Sequence, residues 1–180
     1  MSKAVLISIR PKWCELIASG KKTIEVRKTR PKIETPFKCY MYMSKYHWAF
    51  DLLRKYGMED LADRLMQETG MVIGEFMCDK VYKFSTRVYL GEEQEISDDE
   101  IVAKSCLSRS ELRNYEGHKT GLLGWHISDL EIYEEPKPLS DFHSCSFCDY
   151  RGVCPDGSWC QPLKRPPQSW CYVEEVENHA

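Results

Sequence analysis

Apolar and polar residues alternate over several short stretches of this chain, which is the pattern of β-strands. Residues 4–9 are apolar on both faces and predict a central strand, while residues 37–43 alternate and predict a half-buried one. Further strands are predicted over residues 71–84, within 121–133 and over 170–173. Strands with helices inserted between them favour an α+β fold, a small mixed barrel with peripheral and inserted helices, over a doubly wound parallel sheet.

Helical patterns fill the spaces between the strands. A first helix is predicted from Pro11 to Gly20, because proline suits the first helical turn and glycine favours the C-terminal cap. Two helical patterns within residues 46–70 predict a helical-hairpin insertion. The starts of two short helices are predicted by Ser-x-x-Glu capping boxes at Ser97–Glu100 and Ser108–Glu111.

The segment that follows the first helix predicts a strand with one charged face. Thr23, Glu25 and Arg27 alternate with Ile24 and Val26, so the three polar side chains share one side of the strand. Two ammonium groups stand at its start, those of Lys21 and Lys22. This density of ionisable groups favours a binding or catalytic surface. The structural alternatives are a solvated strand face and an ion pair between Glu25 and Arg27.

Length and charge narrow the class of protein. The 180 residues favour one domain over residues 1–180 with a single core. The net charge is −3, yet residues 1–38 carry ten Lys or Arg against three Glu, a local excess of +7. A basic region on an acidic body predicts an anionic partner met locally, such as a nucleotide or a nucleic acid strand.

Nothing in the sequence predicts a membrane or secretory segment. It contains neither an apolar run of membrane-spanning length nor the apolar core of a signal peptide at its start. We therefore expect a cytoplasmic protein with no membrane partner. Nine cysteines in that compartment are expected to be mostly reduced.

A cysteine-rich insertion is predicted at residues 143–160. Its thiols have knuckle-like spacing at Cys145, Cys148, Cys154 and Cys160. Glycine and proline make the segment too loop-rich to fold by hydrophobic burial alone, so a structural zinc held by four thiolates would stabilise it. Burial of the cysteines without a metal is the alternative, and no motif indicates an organic cofactor.

A set of short motifs occurs in a fixed order along the chain. The pattern Gly-x-Lys-x-x-Glu-x-Arg is formed by Gly20, Lys22, Glu25 and Arg27. Three further distinctive segments are residues 124–128, 136–140 and 166–170. In these motifs the chain resembles the ASCH domain family, a PUA-like family, and in particular its phage and bacterial members. The resemblance covers most of the chain outside the two predicted insertions.

The resemblance implies a PUA-like barrel with a cleft over this motif that holds a nucleobase, a nucleotide or single-stranded RNA. One branch of the family hydrolyses the amide of N4-acetylcytidine with a Lys, a Thr and a Glu. The matching positions here are Lys22, Glu25 and Glu75, with Glu25 standing where that branch has threonine. These three residues are the candidate catalytic groups, with Lys22 and Glu75 as an acid/base pair.

Candidate ligand-binding residues lie close to the motif or at the ends of neighbouring strands: Lys21, Thr23, Arg27, Ser8, Arg10 and Tyr40. Bases could stack on aromatic side chains beside the cations that follow the motif, Lys28, Arg30 and Lys32, with burial of the rings in the core as the alternative. The aromatic candidates are Tyr40, Tyr42, Trp125 and His126. Three functions stay open: a nucleotide- or RNA-binding domain, a small hydrolase acting on a modified nucleoside or on RNA, and a protein-interaction adaptor.

Overall fold

The computed structural model describes residues 3–45, 54–87, 95–118, 121–144 and 160–176. Contacts divide the chain into two compact units. The first unit comprises Met1–Glu15, Lys38–Phe76 and Glu131–Ala180, and the second comprises Leu16–Phe37 and Met77–Leu130.

Most helices and strands of the described residues follow the order that the sequence pattern predicts, and the two-residue strands His143–Ser144 and Gln161–Pro162 are additional. In chain order they are β1 (Lys3–Ile9), α1 (Pro11–Ala18), β2 (Ile24–Arg27), β3 (Phe37–Met43), α2 (Glu59–Glu68), β4 (Met71–Cys78), β5 (Val81–Phe84), α3 (Asp98–Ser105), α4 (Arg109–Glu116), β6 (Leu122–His126), β7 (Ser128–Pro138), β8 (His143–Ser144), β9 (Gln161–Pro162) and β10 (Trp170–Glu174). A 3-10 turn, Leu139–Asp141, follows β7.

The first unit is built on a five-stranded sheet with the order β10–β1–β3–β4–β7. The predicted central strand is confirmed, because β1 pairs in parallel with β3 on one edge and antiparallel with β10 on the other. The last predicted strand therefore returns to the first. One face of the sheet carries a hydrophobic cluster formed by Ala4, Leu6, Tyr40, Tyr42, Val72, Phe142 and Val173.

The prediction that β3 is half-buried is wrong, since all of its residues except Lys38 are buried. Tyr40 and Tyr42, which stand at the polar positions of the alternating pattern, pack into the hydrophobic cluster. A tyrosine can be buried when its hydroxyl finds a partner. The Tyr40 hydroxyl accepts a hydrogen bond from the backbone N–H of Val176 at 2.8 Å.

Two strands of this sheet approach each other closely at Gly74. A Cβ atom at this position would lie 2.3 Å from the backbone oxygen of Glu131 on β7. Glycine in a strand often marks such a close approach of another backbone. The residue therefore permits the pairing of β4 with β7.

The second unit contains a three-stranded antiparallel sheet with the order β2–β6–β5. Its core is formed by side chains from all three strands and from α3 and α4: Ile24, Val26, Tyr82, Phe84, Ile101, Leu112 and Leu122. Both predicted capping boxes are confirmed, with the Ser97 and Ser108 side chains accepting from the N–H groups of Glu100 and Glu111. These helices bring Ser105 and Glu116 to the strands.

The α+β class with inserted helices is confirmed, and the strands of the described ranges lie in open sheets that do not close on themselves. Helix α2 falls within the predicted insertion at 46–70, whose residues 46–53 lie outside the described part. The boundary of a single domain over 1–180 stays a prediction. None of the described helices is long and apolar enough to cross a membrane.

Candidate functional site

Lys22 lies between the end of α1 and the start of β2, and its ammonium group is buried. The Nζ atom donates to the backbone oxygens of Ile24 at 2.8 Å and Ser105 at 2.7 Å. It also lies 3.2 Å from Glu25 Oε2, and the lysine side chain is only 1% exposed. An ammonium group has three hydrogens, so these three acceptors match its donors in number.

Glu25 stands between two cations. Its Oε2 faces Lys22, and its Oε1 pairs with Arg27 Nη2 at 3.0 Å. Glu25 and Arg27 are two positions apart on β2 and thus project on the same side of the strand. We call Lys22, Glu25 and Arg27 the buried triad. Buried charges are tolerated when each has an opposite partner and further hydrogen bonds. Each charge of the triad has an opposite partner, and Lys22 also has its two hydrogen bonds to backbone oxygens.

The triad is better suited to holding charge in place than to moving protons. A lysine acts as a general base only as the neutral amine, which has two hydrogens. Lys22 has three acceptors within reach, so a neutral amine would leave one of them without a hydrogen. The geometry therefore favours a positively charged Lys22 that fixes Glu25 and, through it, Arg27.

Exposed cations precede and follow the buried triad along the chain. Lys21 precedes it and is exposed, and the loop after β2 exposes Lys28, Arg30 and Lys32. We call residues 28–32 the basic loop. Arg30 donates from Nη2 to the backbone oxygen of Ile33 at 2.9 Å, so one cation of the loop also holds its conformation.

Glu75 lies in the first unit and has partners there. Its Oε1 pairs with Lys38 Nζ at 2.9 Å, and Tyr133 donates its hydroxyl hydrogen to Oε2. Burial and the bond to Glu75 raise the pKa of Tyr133. Burial lowers the pKa of Lys38, but the bond and charge of Glu75 outweigh it and the pKa is raised. Because Lys22 belongs to the second unit, its acid/base pairing with Glu75 stays a prediction.

Lys38 and Tyr133 contact Glu75 but are not among the site residues predicted from the sequence. A signal for Lys38 was present, since it is the only cation among residues 37–43 of an otherwise apolar and aromatic strand. A charged group within a buried strand requires an opposite charge nearby. No comparable signal marks Tyr133, whose partner lies 58 positions away in the chain.

The remaining predicted ligand-binding residues have varied environments. Ser8 is half-buried and donates its hydroxyl hydrogen to Pro167 O at 2.7 Å, while Arg10 is exposed. Thr23 is half-buried, and its backbone oxygen accepts from the N–H of Ile127. Tyr40 is buried in the hydrophobic cluster of the first unit. Contact of these side chains with a ligand stays a prediction.

The other aromatic candidates for base stacking are mostly interior. Tyr42 and Trp125 are buried, which corresponds to the core alternative. His126 is partly exposed, and its Nδ1 lies 2.6 Å from Asp79 Oδ1. Burial opposes ionisation of Asp79, but the hydrogen bond with His126 outweighs it and lowers the pKa of Asp79. Asp79 therefore orients the imidazole ring.

The predicted zinc knuckle falls largely outside the described residues. Cys145, Cys148 and Cys154 lie in the undescribed stretch, and Cys160 is half-buried just before β9. No group of three or more metal-ligating side chains occurs within the ranges that the structure describes. A structural zinc bound by the four cysteines stays a prediction.

A family model and several solved structures are similar to this chain. The model of the ASCH domain matches residues 7–136. A crystal structure of ASCH from Zymomonas mobilis has a TM-score of 0.57 and 16% identity, covering 96% of this chain and 88% of that chain. Two mutants of that protein have TM-scores of 0.55 and 15% identity, covering 96% of this chain and 89% and 91% of theirs.

None of the curated proteins matches the sequence. At 15–16% identity, the solved structures support the fold alone. The family model covers well over half of the residues, including the whole of the Gly20–Arg27 motif. The chain therefore belongs to the ASCH domain family.

Proposed function

We propose that the chain binds a nucleotide or single-stranded RNA over the Gly20–Arg27 motif, with the basic loop contacting phosphate groups. The observation that carries this proposal is the change from buried to exposed cations along β2 and the loop that follows it. Two cations are buried around Glu25, and three more, on Lys28, Arg30 and Lys32, are exposed directly after it. A loop that begins at a fixed strand end can present its charges in a defined place.

The electrostatics favour a short, local contact with RNA. Phosphate contacts by lysine and arginine supply most of the sequence-independent affinity for nucleic acids. The net charge of −3 means that the surface beyond the basic region repels a polyanion. A single strand that crosses only the basic loop avoids this repulsion, whereas a long duplex does not.

Neutralising the basic loop should weaken RNA binding and its dependence on salt. For the double variant Lys28→Ala/Lys32→Ala, we expect the slope of log K against log salt concentration to become shallower by about 1.4, or about 0.7 for each lost contact. The measurement is fluorescence anisotropy with a labelled single-stranded oligoribonucleotide at several salt concentrations.

Lys164 and Arg165 provide a matched control, because both are exposed cations that belong to the first unit. Lys164→Ala/Arg165→Ala changes the net charge by the same amount and should leave the slope unchanged. Equal salt slopes for the two double variants, or equal losses of RNA affinity in both, would contradict a role for the basic loop. Far-UV circular dichroism checks that each variant is folded.

A hydrolase acting on N4-acylated cytidine is the second candidate. The observation in its favour is the buried Glu75 carboxylate, which both a lysine and a phenol contact. If this activity is present, Glu75→Gln should reduce the release of acetate from N4-acetylcytidine by about 100-fold or more, the size of a general acid–base contribution. Glu34→Gln, at an exposed position, is the control. No acetate release by the unmodified chain would exclude this candidate.

A further inference from the structure

An exposed aromatic ring lies beside the basic loop. Tyr115, on α4, is 38% exposed. The Nζ atom of Lys28 lies 5.0 Å from the centre of its ring. Both residues belong to the second unit, as does the buried triad. An ammonium group over a tyrosine ring is attracted by the negative face of the ring, so the two side chains stabilise each other's positions.

Helix α4 holds this ring on a fixed support. The helix begins at the capping box of Ser108 and Glu111. Its Leu112 is buried in the core of the second unit. Its last residue, Glu116, is buried and accepts hydrogen bonds from the hydroxyls of Ser85 and Thr86, both at 2.6 Å. The buried residues Leu112 and Glu116 therefore fix the helix before and after Tyr115, whose ring is exposed.

Few large apolar side chains of the described residues are as exposed as Tyr115. The others are Tyr56, Met58, Met66 and Ile132. All four belong to the first unit. Tyr115 is the one that lies beside a cation of the basic loop. An exposed ring next to a cation is the combination that single-strand binding proteins use, with the base stacked on the ring and the phosphate near the charge.

We propose that Tyr115 is the stacking platform for one base of a bound RNA strand and that Lys28 contacts the phosphate next to that base. This inference rests on the proposed function and adds a base contact to it. Since every base has a flat π-face, such a platform accepts any of the four bases. The ligand class is therefore single-stranded RNA without strong sequence preference at this position.

Stacking and phosphate contact have different salt dependence, which separates the two roles. Loss of a stacked base should lower affinity by about tenfold or more at every salt concentration. It should leave the slope of log K against log salt unchanged, because no counterions are involved. Loss of the Lys28 charge should make the slope shallower by about 0.7.

The experiment measures the affinity of Tyr115→Leu and Tyr115→Trp for a short single-stranded RNA and for an abasic strand of equal length. Leucine keeps an apolar, helix-forming side chain but has no π-face, so we expect at least a tenfold loss on RNA. Tryptophan should retain the affinity. On the abasic strand, all three proteins should bind equally. Tyr56→Leu is the control, since Tyr56 is exposed in the first unit and should not affect binding.

The possible results distinguish the two proposals. If the unmodified chain binds RNA and Tyr115→Leu binds equally well, the stacking role is wrong and the function stands. An equal loss on RNA and on the abasic strand also overturns stacking, because no base is then involved. Absence of RNA binding by the unmodified chain overturns the proposed function, and the stacking role with it.

Discussion

Replacing Glu25 with glutamine is expected to lower the free energy of unfolding by about 3–5 kcal/mol, the usual cost of removing one partner of a buried ion pair. Glutamine is nearly the same size, so the cost arises from charge and not from a cavity. The change leaves Lys22 and Arg27 as buried cations without the carboxylate between them. Urea denaturation of the two proteins at neutral pH measures the difference.

A double-mutant cycle then assigns the effect to the triad. Lys22→Met removes the ammonium group and keeps an unbranched apolar side chain of similar length. If Lys22 and Glu25 interact directly, the two substitutions should not be additive. The free energy of unfolding lost in Lys22→Met/Glu25→Gln should be smaller than the sum of the losses in the two single variants by about 1 kcal/mol or more. Glu34→Gln, an exposed change in the same unit, should have little effect. Additive losses, or a Glu25→Gln loss no larger than that of Glu34→Gln, would contradict a buried charge network.

Replacing Glu116 with alanine is expected to lower the free energy of unfolding by about 3 kcal/mol or more at neutral pH, since each unsatisfied buried donor costs about 1–3 kcal/mol. The carboxylate is buried at the end of α4 and accepts from the Ser85 and Thr86 hydroxyls and from the N–H of Gly121 at 2.8 Å. Alanine would leave these donors without their acceptor. Chemical denaturation of Glu116→Ala tests this result, and Glu34→Ala is the control.

The same carboxylate makes the fold sensitive to acid. Burial would raise the pKa of Glu116, but the hydrogen bonds from Ser85, Thr86 and Gly121 outweigh it and lower the pKa from 4.5 to about 2. A lowered pKa in the folded state means that the stabilisation is fully present above about pH 4.5 and is lost as the pH falls toward 2.

The difference in unfolding free energy between the unmodified chain and Glu116→Ala should therefore narrow below pH 4.5. Denaturation series at pH 7, 5 and 3 measure it, with Glu34→Ala again as the control. A difference that stayed constant from pH 7 to pH 3 would show that the ionised form of Glu116 does not stabilise the fold through these hydrogen bonds.

The elements of the fold were predictable because their signals are local. Apolar runs located β1 and β10, and the spacing of Ser and Glu located the starts of α3 and α4. The alternation along β2 also predicted that Glu25 and Arg27 share a side, which allows their ion pair. Such patterns depend only on residues a few positions apart.

The environments of the site residues could not be predicted in the same way. The ammonium group of Lys22 binds the backbone oxygen of Ser105, 83 positions away, and backbone oxygens carry no sequence signal. Tyr40 and Tyr42 stand at the polar positions of the alternation along β3, yet both rings are buried in the hydrophobic cluster. Tyrosine is buried readily when its hydroxyl is paired. Tyr115 lies in an ordinary polar helix pattern, and only its position beside Lys28 distinguishes it.

The most direct test of RNA binding by the basic loop is the affinity of the unmodified chain for a short single-stranded RNA across a range of salt concentrations. If Lys28, Arg30 and Lys32 each contact a phosphate, log K should fall linearly with log salt with a slope of about −2, or −0.7 for each contact. Absence of measurable binding at low salt, or an affinity that does not change with salt, would contradict RNA binding by the basic loop.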